Sequence, residues 1–325
     1  MELKQQILKI LEENRGISIS GAKLAEKLSV TRSAVWKAIK ALQKEGYCIT
    51  AVTNKGYCLA PQNDIISAES ISPYLKGKAK NFSLVVHQTV TSTNTIAKEL
   101  AAKGAPEGTV IIAREQTQGR GRMGRSFYSP EATGIYFSII LRPKLSMEDS
   151  LRITTATAVA VADAIESIAS VDAKIKWVND IFVNGKKVCG ILTEASLNFE
   201  NGGVEYAVVG IGLNIATQDF PKGLETVAGS IWKDKPREDP ISSILLAEIL
   251  NNIADIKDSL TDAKYLEEYQ RRSFLIGKNI LVLKGGQTIP AKAVSIDKDA
   301  RLVVKYEDHT EEALSSGEVS IRPIL

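Results

Sequence analysis

The stretch Gly119-Arg120-Gly121-Arg122-Met123-Gly124-Arg125 concentrates three arginines in a loop that three glycines leave open. Guanidinium groups and unhindered backbone N–H groups both donate to anionic oxygens, so this composition suits a phosphate or an adenylate. Its spacing, G-x-G-x-x-G, also fits a dinucleotide-binding turn, which requires a preceding strand and a helix that opens on the last glycine. A strand pattern precedes the loop at 109–113, but a turn at 127–130 and a second strand at 134–141 follow it. The sequence therefore excludes a Rossmann nucleotide site.

The composition is that of a globular protein with two or three domains. The 325 residues are 44% hydrophobic and 24% charged, which are ordinary values for this class. No stretch approaches the roughly 20 apolar residues of a membrane span, and the first residues lack the character of a signal peptide. The cysteines, Cys48, Cys58 and Cys189, lack the spacing of a zinc site. Reduced thiols are favoured, so we expect a cytoplasmic protein with no membrane partner.

The basic charge is collected at the N-terminus. Residues 1–60 contain ten lysines and arginines against five acids, a net charge of +5, and the remaining residues carry −2. The chain has only two histidines, His87 and His309, which supports neither a histidine metal cage nor a serine–histidine triad. Any chemistry must therefore use lysine, arginine, carboxylates and the backbone.

The first sixty residues have the pattern of a winged helix-turn-helix. Apolar residues recur at helical spacing over 3–11, a short helix follows over 21–28, and residues 29–30 form a tight turn. Thr31 stands at an N-cap position before a third amphipathic helix. Alternating residues after Tyr47 then predict a hairpin, the wing, which turns through residues 53–56.

The third helix carries the residue types that reach phosphates and base edges in a major groove. A solvated basic face is the alternative, but the turn, the helix and the wing occur together, which favours DNA binding. Trp36 lies on the flank of the apolar stripe, where we expect it to pack against the wing more readily than to touch DNA. The candidate DNA contacts are Thr31, Arg32, Ser33, Trp36, Lys37 and, at the wing tip, Lys55.

The central region predicts mixed strands and helices. Ser92-Thr93-Asn94 follows a strand at 82–87 and opens a helix, where hydroxyls, an amide and unpaired N–H groups can converge on a polar ligand. A plain N-cap is the alternative. Asn184-Gly185 marks a hairpin whose return strand carries Lys187 beside the open position Gly190. Lys187 is either a ligand-facing cation or a solvated hairpin lysine.

The C-terminal residues have a different pattern, in which two helices are followed by short strands. Residues 242–256 and 262–272 have helical patterns, and short strands follow at 280–283, 291–294 and 302–304. Glycine and charged turns separate these strands. The pattern predicts a compact β-module.

Five sequence motifs are similar to those of a known protein family. In order they are Ser92-Thr93-Asn94, Gln116 with the 119–125 loop, Lys176-Trp177-Val178-Asn179-Asp180, Lys187-Val188-Cys189-Gly190-Ile191 and Gly210-Ile211-Gly212-Leu213-Asn214. Together they resemble the motifs of biotin–protein ligases. With the winged helix, the whole chain resembles the bifunctional bacterial form, which is also a biotin operon repressor. Two residues depart from the family pattern, Val178 in place of proline and Phe127 in place of tryptophan.

The resemblance implies an α+β multidomain fold. Residues 1–63 are expected to form the winged helix-turn-helix DNA-binding domain. Residues 64–274 are expected to form a mixed α/β catalytic domain of the class II synthetase and biotin ligase type. Residues 275–325 are expected to form a small SH3-like β-barrel.

The resemblance also implies the reaction and its residues. Biotin and ATP would give biotinyl-5′-adenylate, with Mg²⁺ as cofactor, and biotin would then pass to a carrier lysine. Arg120, Arg122 and Lys187 would stabilise charge, while Asp180 would either bind Mg²⁺ or deprotonate the incoming amine. The implied biotin and adenylate contacts are Ser92, Thr93, Asn94, Gln116, Gly119, Arg120, Gly121, Arg122, Tyr136, Lys187, Gly190, Gly212 and Asn214.

The implied partners are the biotin carboxyl carrier domain of acetyl-CoA carboxylase or pyruvate carboxylase, operator DNA and a second copy of the chain. The homodimer would pair central domains edge to edge near residues 196–204. The arginine loop would close over the adenylate and shield it from water. A polar segment at 219–239 is a second candidate lid, within which Trp232 either packs on adenine or anchors the core. Two alternatives to a ligase and repressor are a biotin-sensing repressor without catalysis and a lipoate–protein ligase-like enzyme.

Overall fold

The computed structural model of the chain divides into two compact units. The first comprises Met1–Lys76 and Asp234–Glu248, and the second comprises Gly77–Lys233 and Ile249–Leu325. The described residues are 2–52, 55–146, 150–197, 203–236, 239–284, 287–315 and 320–323. Among them, no helix has both the length and the apolar character to cross a bilayer.

The first unit is built on three helices and a hairpin. Its elements are α1 (Leu3–Glu13), α2 (Gly21–Lys27), α3 (Arg32–Lys44), β1 (Ile49–Val52), β2 (Gly56–Leu59) and α4 (Ala68–Ile71). Ser20 caps α2 by accepting from the Lys23 N–H at 3.1 Å, and Thr31 caps α3 by accepting from the Ala34 N–H at 3.2 Å. Ser29 adopts a φ of 55° in the turn between the two helices. The N-terminal helix-turn-helix prediction is confirmed.

The second unit contains a seven-stranded sheet. Its strands are β3 (Ser83–Val90), β4 (Thr109–Gln116), β5 (Gly134–Leu141), β6 (Lys174–Lys176), β7 (Asp180–Val183), β8 (Lys186–Leu197) and β9 (Val204–Asn214). The order across the sheet is β3-β4-β5-β9-β8-β7-β6, in which only β3 and β4 pair in parallel. This sheet is the mixed sheet of the predicted central domain.

Helices complete this unit. They are α5 (Thr93–Ala102), α6 (Ser150–Ala169), α7 (Ile241–Ile256) and α8 (Leu266–Arg272). The helix α7 is divided between the units: its residues up to Glu248 belong to the first and those from Ile249 belong to the second. The helix α5 connects β3 to β4, a crossover that parallel strands require. A helix predicted over 262–272 begins only at Leu266, because Ala263 adopts a φ of 55° that ends helical geometry.

The C-terminal part of this unit is a separate five-stranded antiparallel sheet. Its strands are β10 (Asn279–Lys284), β11 (Gln287–Ile296), β12 (Leu302–Tyr306), β13 (Glu311–Leu314) and β14 (Ser320–Pro323). The order is β13-β12-β11-β10-β14, so β13 and β14 form its two edges within the described chain. The predicted antiparallel β-module is present, but pairing among these residues does not close a barrel.

One short segment of the first unit comes from far along the chain. Asp64 accepts hydrogen bonds from the Lys235 ammonium at 2.8 Å and from the Ser242 N–H at 2.9 Å. The hydroxyls of Ser70 and Ser243 lie 2.8 Å apart and are both buried. These bonds attach residues 234–248 to the segment that follows the wing.

Candidate active site

A cavity of about 1200 Å³ opens in the second unit above strands β8 and β9. Twelve of the predicted site residues line it: Ser92, Thr93, Asn94, Gln116, Arg120, Gly121, Arg122, Asp180, Lys187, Gly190, Gly212 and Asn214. Five separate motifs of the sequence therefore meet at one place. Gly119 and Tyr136 are not among the lining residues.

The N-terminus of α5 forms one polar wall of the cavity. Ser92 is its N-cap residue, yet its side chain makes no capping hydrogen bond. Gln116 on β4 faces this terminus, and its Oε1 accepts from the Thr93 N–H at 2.9 Å. The Gln116 Nε2 donates to the Ser129 Oγ at 3.0 Å. The plain N-cap alternative thus fails for Ser92, and the wall offers side-chain and backbone groups to a ligand.

The arginine loop folds back on itself as a narrow hairpin. The Gly121 N–H donates to the Arg125 carbonyl at 2.7 Å, and the Phe127 N–H donates to the Gly119 carbonyl at 2.8 Å. A side chain at Gly119 would strike the Phe127 carbonyl, which explains the glycine there. Gly119 thus shapes the loop, and its neighbours Arg120, Arg122 and Arg125 present their side chains to the cavity.

Two arginines of the loop are held by different partners. The Arg120 guanidinium lies 3.5 Å from the Glu194 carboxylate and is about half exposed. The Arg122 Nη1 donates to the Asn179 Oδ1 at 3.0 Å. Burial lowers the pKa of Arg122 and the nearby Asp180 charge opposes that shift, but arginine stays protonated. Both cations therefore stand ready for anionic oxygens.

Lys187 and Asp180 form an ion pair on the adjoining strands β8 and β7. The Lys187 ammonium lies 2.6 Å from the Asp180 Oδ1, and both side chains are about three-quarters buried. The lysine extends over Gly190, where an added Cβ would come within 3.3 Å of its Cε and Nζ. The tight Asn184-Gly185 turn joins the two strands and sets this register. Lys187 is therefore a cavity-facing cation, and the solvated-lysine alternative is wrong.

The floor of the cavity is made by two facing glycines and an aromatic ring. Gly190 pairs with Gly212 across β8 and β9, and the Phe127 ring lies over them. A Cβ added to Gly212 would come within 2.5 Å of the Phe127 Cε1. Tyr136 is fully buried behind this ring, edge-on to it at 6.4 Å, and its hydroxyl donates to the Pro130 carbonyl at 3.0 Å. Tyr136 thus supports Phe127, and our expectation that it lines the pocket does not match its position.

The opposite wall comes from the predicted second lid. Phe220, Leu224 and residues 226–228 line the cavity. The Lys187 N–H donates to the Val227 carbonyl at 2.8 Å, and the Gly229 N–H donates to the Lys187 carbonyl at 2.9 Å. Asn214 fixes the same segment by donating to the Gly229 carbonyl at 3.1 Å. Trp232 is not among the lining residues, so the segment contributes to the site without that ring.

Comparisons with known proteins agree with this arrangement. Residues 86–214 match the biotin/lipoate A/B protein ligase family, residues 4–58 match an HTH domain, and residues 275–322 match the biotin protein ligase C-terminal domain. The bifunctional ligase/repressor BirA of Bacillus subtilis strain 168 is 35% identical over 320 residues, which cover 97% of each chain. The chain belongs to the bifunctional biotin ligase/repressor family. The resemblance predicted from the five motifs is confirmed.

Two further relatives each cover about three-quarters of this chain. The biotin–[acetyl-CoA-carboxylase] ligase of Mycobacterium tuberculosis is 31% identical over 244 residues, which cover 72% of this chain and 87% of that protein. The biotin protein ligase of Aquifex aeolicus, solved in complex with biotin and ATP, superposes with a TM-score of 0.63 at 25% identity. That superposition covers 74% of this chain and 99% of the Aquifex chain.

The DNA-binding candidates of this ligase/repressor are exposed residues of α3, its cap and the wing. Lys55 stands at the turn of the wing, whose residues 53–54 lie outside the described chain. Trp36 is 51% exposed, so it is not buried against the wing as we expected. The exposed candidates of α3 and its cap are Thr31, Arg32, Ser33, Trp36 and Lys37.

Sequence reasoning missed several residues of the ligase site. Asn179 holds Arg122, yet it was quoted only as part of a motif. Ser138 and Glu194 contact Asn94, although neither was singled out from the sequence within its strand. A lone serine inside the apolar run 134–141 was the one available sign, because a buried hydroxyl requires a partner.

Proposed function

We propose that this protein is an ATP-dependent biotin–protein ligase that also acts as a biotin-responsive transcriptional repressor. In the first reaction a biotin carboxylate oxygen attacks the α-phosphorus of ATP, and pyrophosphate leaves as biotinyl-5′-adenylate forms. In the second, a carrier lysine amine attacks the acyl carbon, forms an amide and releases AMP. The observation that carries the proposal is one cavity lined by the α5 terminus, the arginine loop and the Lys187–Asp180 pair.

The polar wall at α5 supports a role in binding the biotin head group. Ser92, Thr93 and Gln116 offer hydroxyl, backbone and amide groups at one end of the cavity, and Asn94 orders them from behind. Gly190 and Gly212 remove side chains from the floor, so that the bicyclic ring can approach the sheet where Phe127 lies. A largely apolar floor with a few placed polar groups is typical of small-ligand sites.

The cations support the adenylation step. Negative charge builds where the carboxylate meets the α-phosphate, and donors fixed in advance around that point stabilise it. The ion pair with Asp180 and the open position at Gly190 support this role for Lys187, because they hold its ammonium in the cavity. Arg120 and Arg122 would bind phosphate and carboxylate oxygens as the loop closes, which also excludes water from the adenylate.

Asp180 has two possible roles, as metal ligand or as base for the carrier amine. Mg²⁺ is usually held by one or two carboxylates together with substrate phosphates. Asp180 supplies one carboxylate, and no group of three or more His, Cys, Asp or Glu side chains suited to a metal occurs among the described residues. These residues fit a magnesium ion that is held mainly by ATP, where it would neutralise phosphate charge. Asp180 then serves the second step by taking the proton of the carrier lysine.

The expected partners follow from the two activities. The carrier would be the biotin carboxyl carrier domain of acetyl-CoA carboxylase or pyruvate carboxylase, and operator DNA would bind the exposed face of α3 and the wing. Beyond Gly190, β8 pairs only with β9, so its other edge over 192–197 has no strand partner among the described residues. An open edge of this kind is a template for pairing with a second copy, which supports a homodimer. The SH3-like barrel and the cytoplasmic location stay predictions.

The test is ATP–pyrophosphate exchange, measured with biotin, lipoate, octanoate and no acid. Biotin-dependent exchange that Lys187→Met slows by about 10²–10³ is the expected result. Exchange with lipoate would indicate a lipoate ligase-like enzyme. Biotin binding without exchange would leave a sensor that regulates DNA without catalysis. A matched control is Lys186→Met, because Lys186 precedes Lys187 but its ammonium donates to the Glu225 and Thr226 carbonyls.

A further inference from the structure

A chain of hydrogen bonds runs from Glu194 to the polar wall of the cavity. The Asn94 Nδ2 lies 3.0 Å from the Glu194 Oε2, and the Asn94 Oδ1 lies 2.6 Å from the Ser138 Oγ. The Ser138 Oγ also lies 2.7 Å from the Thr93 Oγ1. Thr93 lines the cavity, whereas Ser138 is fully buried in β5. Four side chains on three elements, α5, β5 and β8, are thus connected in a row.

The donors and acceptors in this row assign its protons. An ionised carboxylate only accepts, so the Asn94 NH₂ group must point at Glu194 and its Oδ1 must accept from Ser138. The Leu192 carbonyl, 3.3 Å from the same Nδ2, favours the same orientation. Ser138 has a single proton, and Asn94 takes it. The 2.7 Å contact between the two hydroxyls is then donated by Thr93. The Thr93 Oγ1 also lies 3.2 Å from the Gln116 Oε1, a longer contact to an oxygen that already accepts from the Thr93 N–H at 2.9 Å.

We propose that Glu194 and Ser138 are positioning residues that fix the Thr93 hydroxyl as an acceptor toward the cavity and thereby select a ligand N–H group. The inference rests on the proposed function, because the cyclic urea of biotin carries two such N–H groups. On the other side, the Gln116 Oε1 accepts from the Thr93 N–H and lies 3.2 Å from the Thr93 Oγ1. The Gln116 Nε2 donates one proton to the Ser129 Oγ and has a second proton for a ligand acceptor. A ring with oxygen or sulfur at the N–H position would face lone pairs at Thr93.

The surroundings hold this polarity in place. Burial acts to raise the pKa of Glu194, but hydrogen bonds from Lys98 and Asn94 outweigh it, so that this pKa lies below its ordinary value. Lys98 donates to the Glu194 Oε1 at 2.9 Å. A side chain at Gly210 would strike the Asn94 amide, so this glycine lets Asn94 lie flat against β9. The carboxylate stays ionised and the amide is confined.

The experiment compares biotin with two cyclic carbamate analogues, in each of which one ureido N–H is replaced by oxygen. Dissociation constants are measured by calorimetry on the full chain. In the unmodified protein, one analogue should bind roughly tenfold to hundredfold more weakly, because a buried acceptor loses its donor. Thr93→Val should remove that discrimination, since it removes the acceptor and keeps the shape.

Ser138→Ala is the decisive variant. With no acceptor at position 138, the Thr93 hydroxyl keeps only the 3.2 Å contact to the Gln116 Oε1, which already accepts from the Thr93 N–H, so it can turn and donate to the analogue's oxygen. The Ser138→Ala variant should therefore bind this analogue at least about fivefold more tightly than the unmodified protein does, and it should bind biotin more weakly. Glu194→Gln should act in the same direction but less, because the Leu192 carbonyl still favours one Asn94 orientation. Glu115→Gln is the charge-matched control, since Glu115 accepts from Thr89 and lies next to Gln116 on β4.

The outcomes separate the possibilities. A Ser138→Ala variant that weakens biotin and both analogues by one common factor would show a merely structural role and overturn the inference. An unchanged ratio of the analogue and biotin dissociation constants in Thr93→Val would also overturn the inference, because it would show that Thr93 faces no ligand N–H group. If Ser138→Ala does not fold, the shift in ratio expected for Glu194→Gln decides. Failure of the unmodified protein to bind biotin at all would instead contradict the proposed function.

Discussion

Replacing Gly212 by alanine should destabilise the second unit through one specific collision. The new Cβ would lie 2.5 Å from the Phe127 Cε1 and 2.8 Å from its Cδ1 and Cζ. Carbon atoms in contact are separated by about 3.5–4.0 Å, so the ring must retreat by about 1 Å. Tyr136 lies behind the ring and limits that movement. Overpacking of this size costs about 1–3 kcal/mol, and we expect about 2 kcal/mol.

The assay is urea unfolding followed by tryptophan fluorescence. The chain has three tryptophans, and a Trp36→Phe background leaves Trp177 and Trp232 as reporters of the second unit alone. The free energy of unfolding is compared for Gly212→Ala, Phe127→Ala and the double variant. Because Phe127→Ala removes the colliding ring, the double variant should recover about 1 kcal/mol or more relative to additivity.

Two controls sharpen this prediction. Gly190→Ala should cost less than 1 kcal/mol, since its nearest contacts, Lys187 and Phe127, lie at 3.3 Å and can shift. At Gly210 the new Cβ would strike Asn94, so removal of the Phe127 ring should give no recovery there. Additive effects of Gly212→Ala and Phe127→Ala, within about 0.5 kcal/mol, would refute the packing described for this floor.

Three further outcomes are expected. Lys187→Met should lower the kcat of biotin-dependent pyrophosphate exchange by about 10²–10³ and change the biotin KM by less than tenfold; an unchanged kcat would remove Lys187 from the adenylation step. Arg32→Ala should weaken binding to duplex DNA and reduce the slope of log affinity against log salt by about 1, measured by fluorescence anisotropy. Because Glu194 has a pKa below its ordinary 4.5, its stabilisation is present above pH 4.5 and is lost as the pH falls through the lowered pKa. Urea unfolding of Glu194→Gln should therefore differ from the unmodified protein at pH 7 and converge with it in acid, whereas a constant difference would contradict the assignment.

The elements that depend on neighbouring residues could be predicted from the sequence. The capped helix after Thr31 and the tight turn at Asn184-Gly185 are local features, and both have the expected positions. The site residues on the α5 terminus and the arginine loop were found because their residue types are unusual for a core. A loop with three glycines, and a lysine in a strand that also contains a glycine, are typical of a ligand-binding site more than of a packed core.

Features that depend on distant contacts could not be predicted in the same way. Every residue of β5 is buried, so no alternation told which of its side chains faces the cavity. The resemblance implied that Tyr136 contacts the ligand, but it is buried edge-on to Phe127 and is not among the lining residues. Glu194 is remote in sequence from Asn94, and only the pairing of β8 with β9 brings it there. The closure of the C-terminal strands likewise depends on which edges meet.

The attachment of residues 234–248 to the N-terminal unit bears on how this protein can be divided. A truncation that begins at Gly77 would discard Asp64 and Ser70, the hydrogen-bond partners of Lys235, Ser242 and Ser243. It would also uncover the first half of α7, in which Leu245 and Leu246 are fully buried. Isolated ligase fragments of this chain would therefore expose apolar surface that is buried in the full chain. Their soluble expression would require polar substitutions at these positions. A single truncation therefore cannot remove the whole DNA-binding unit, because residues 234–248 belong to it.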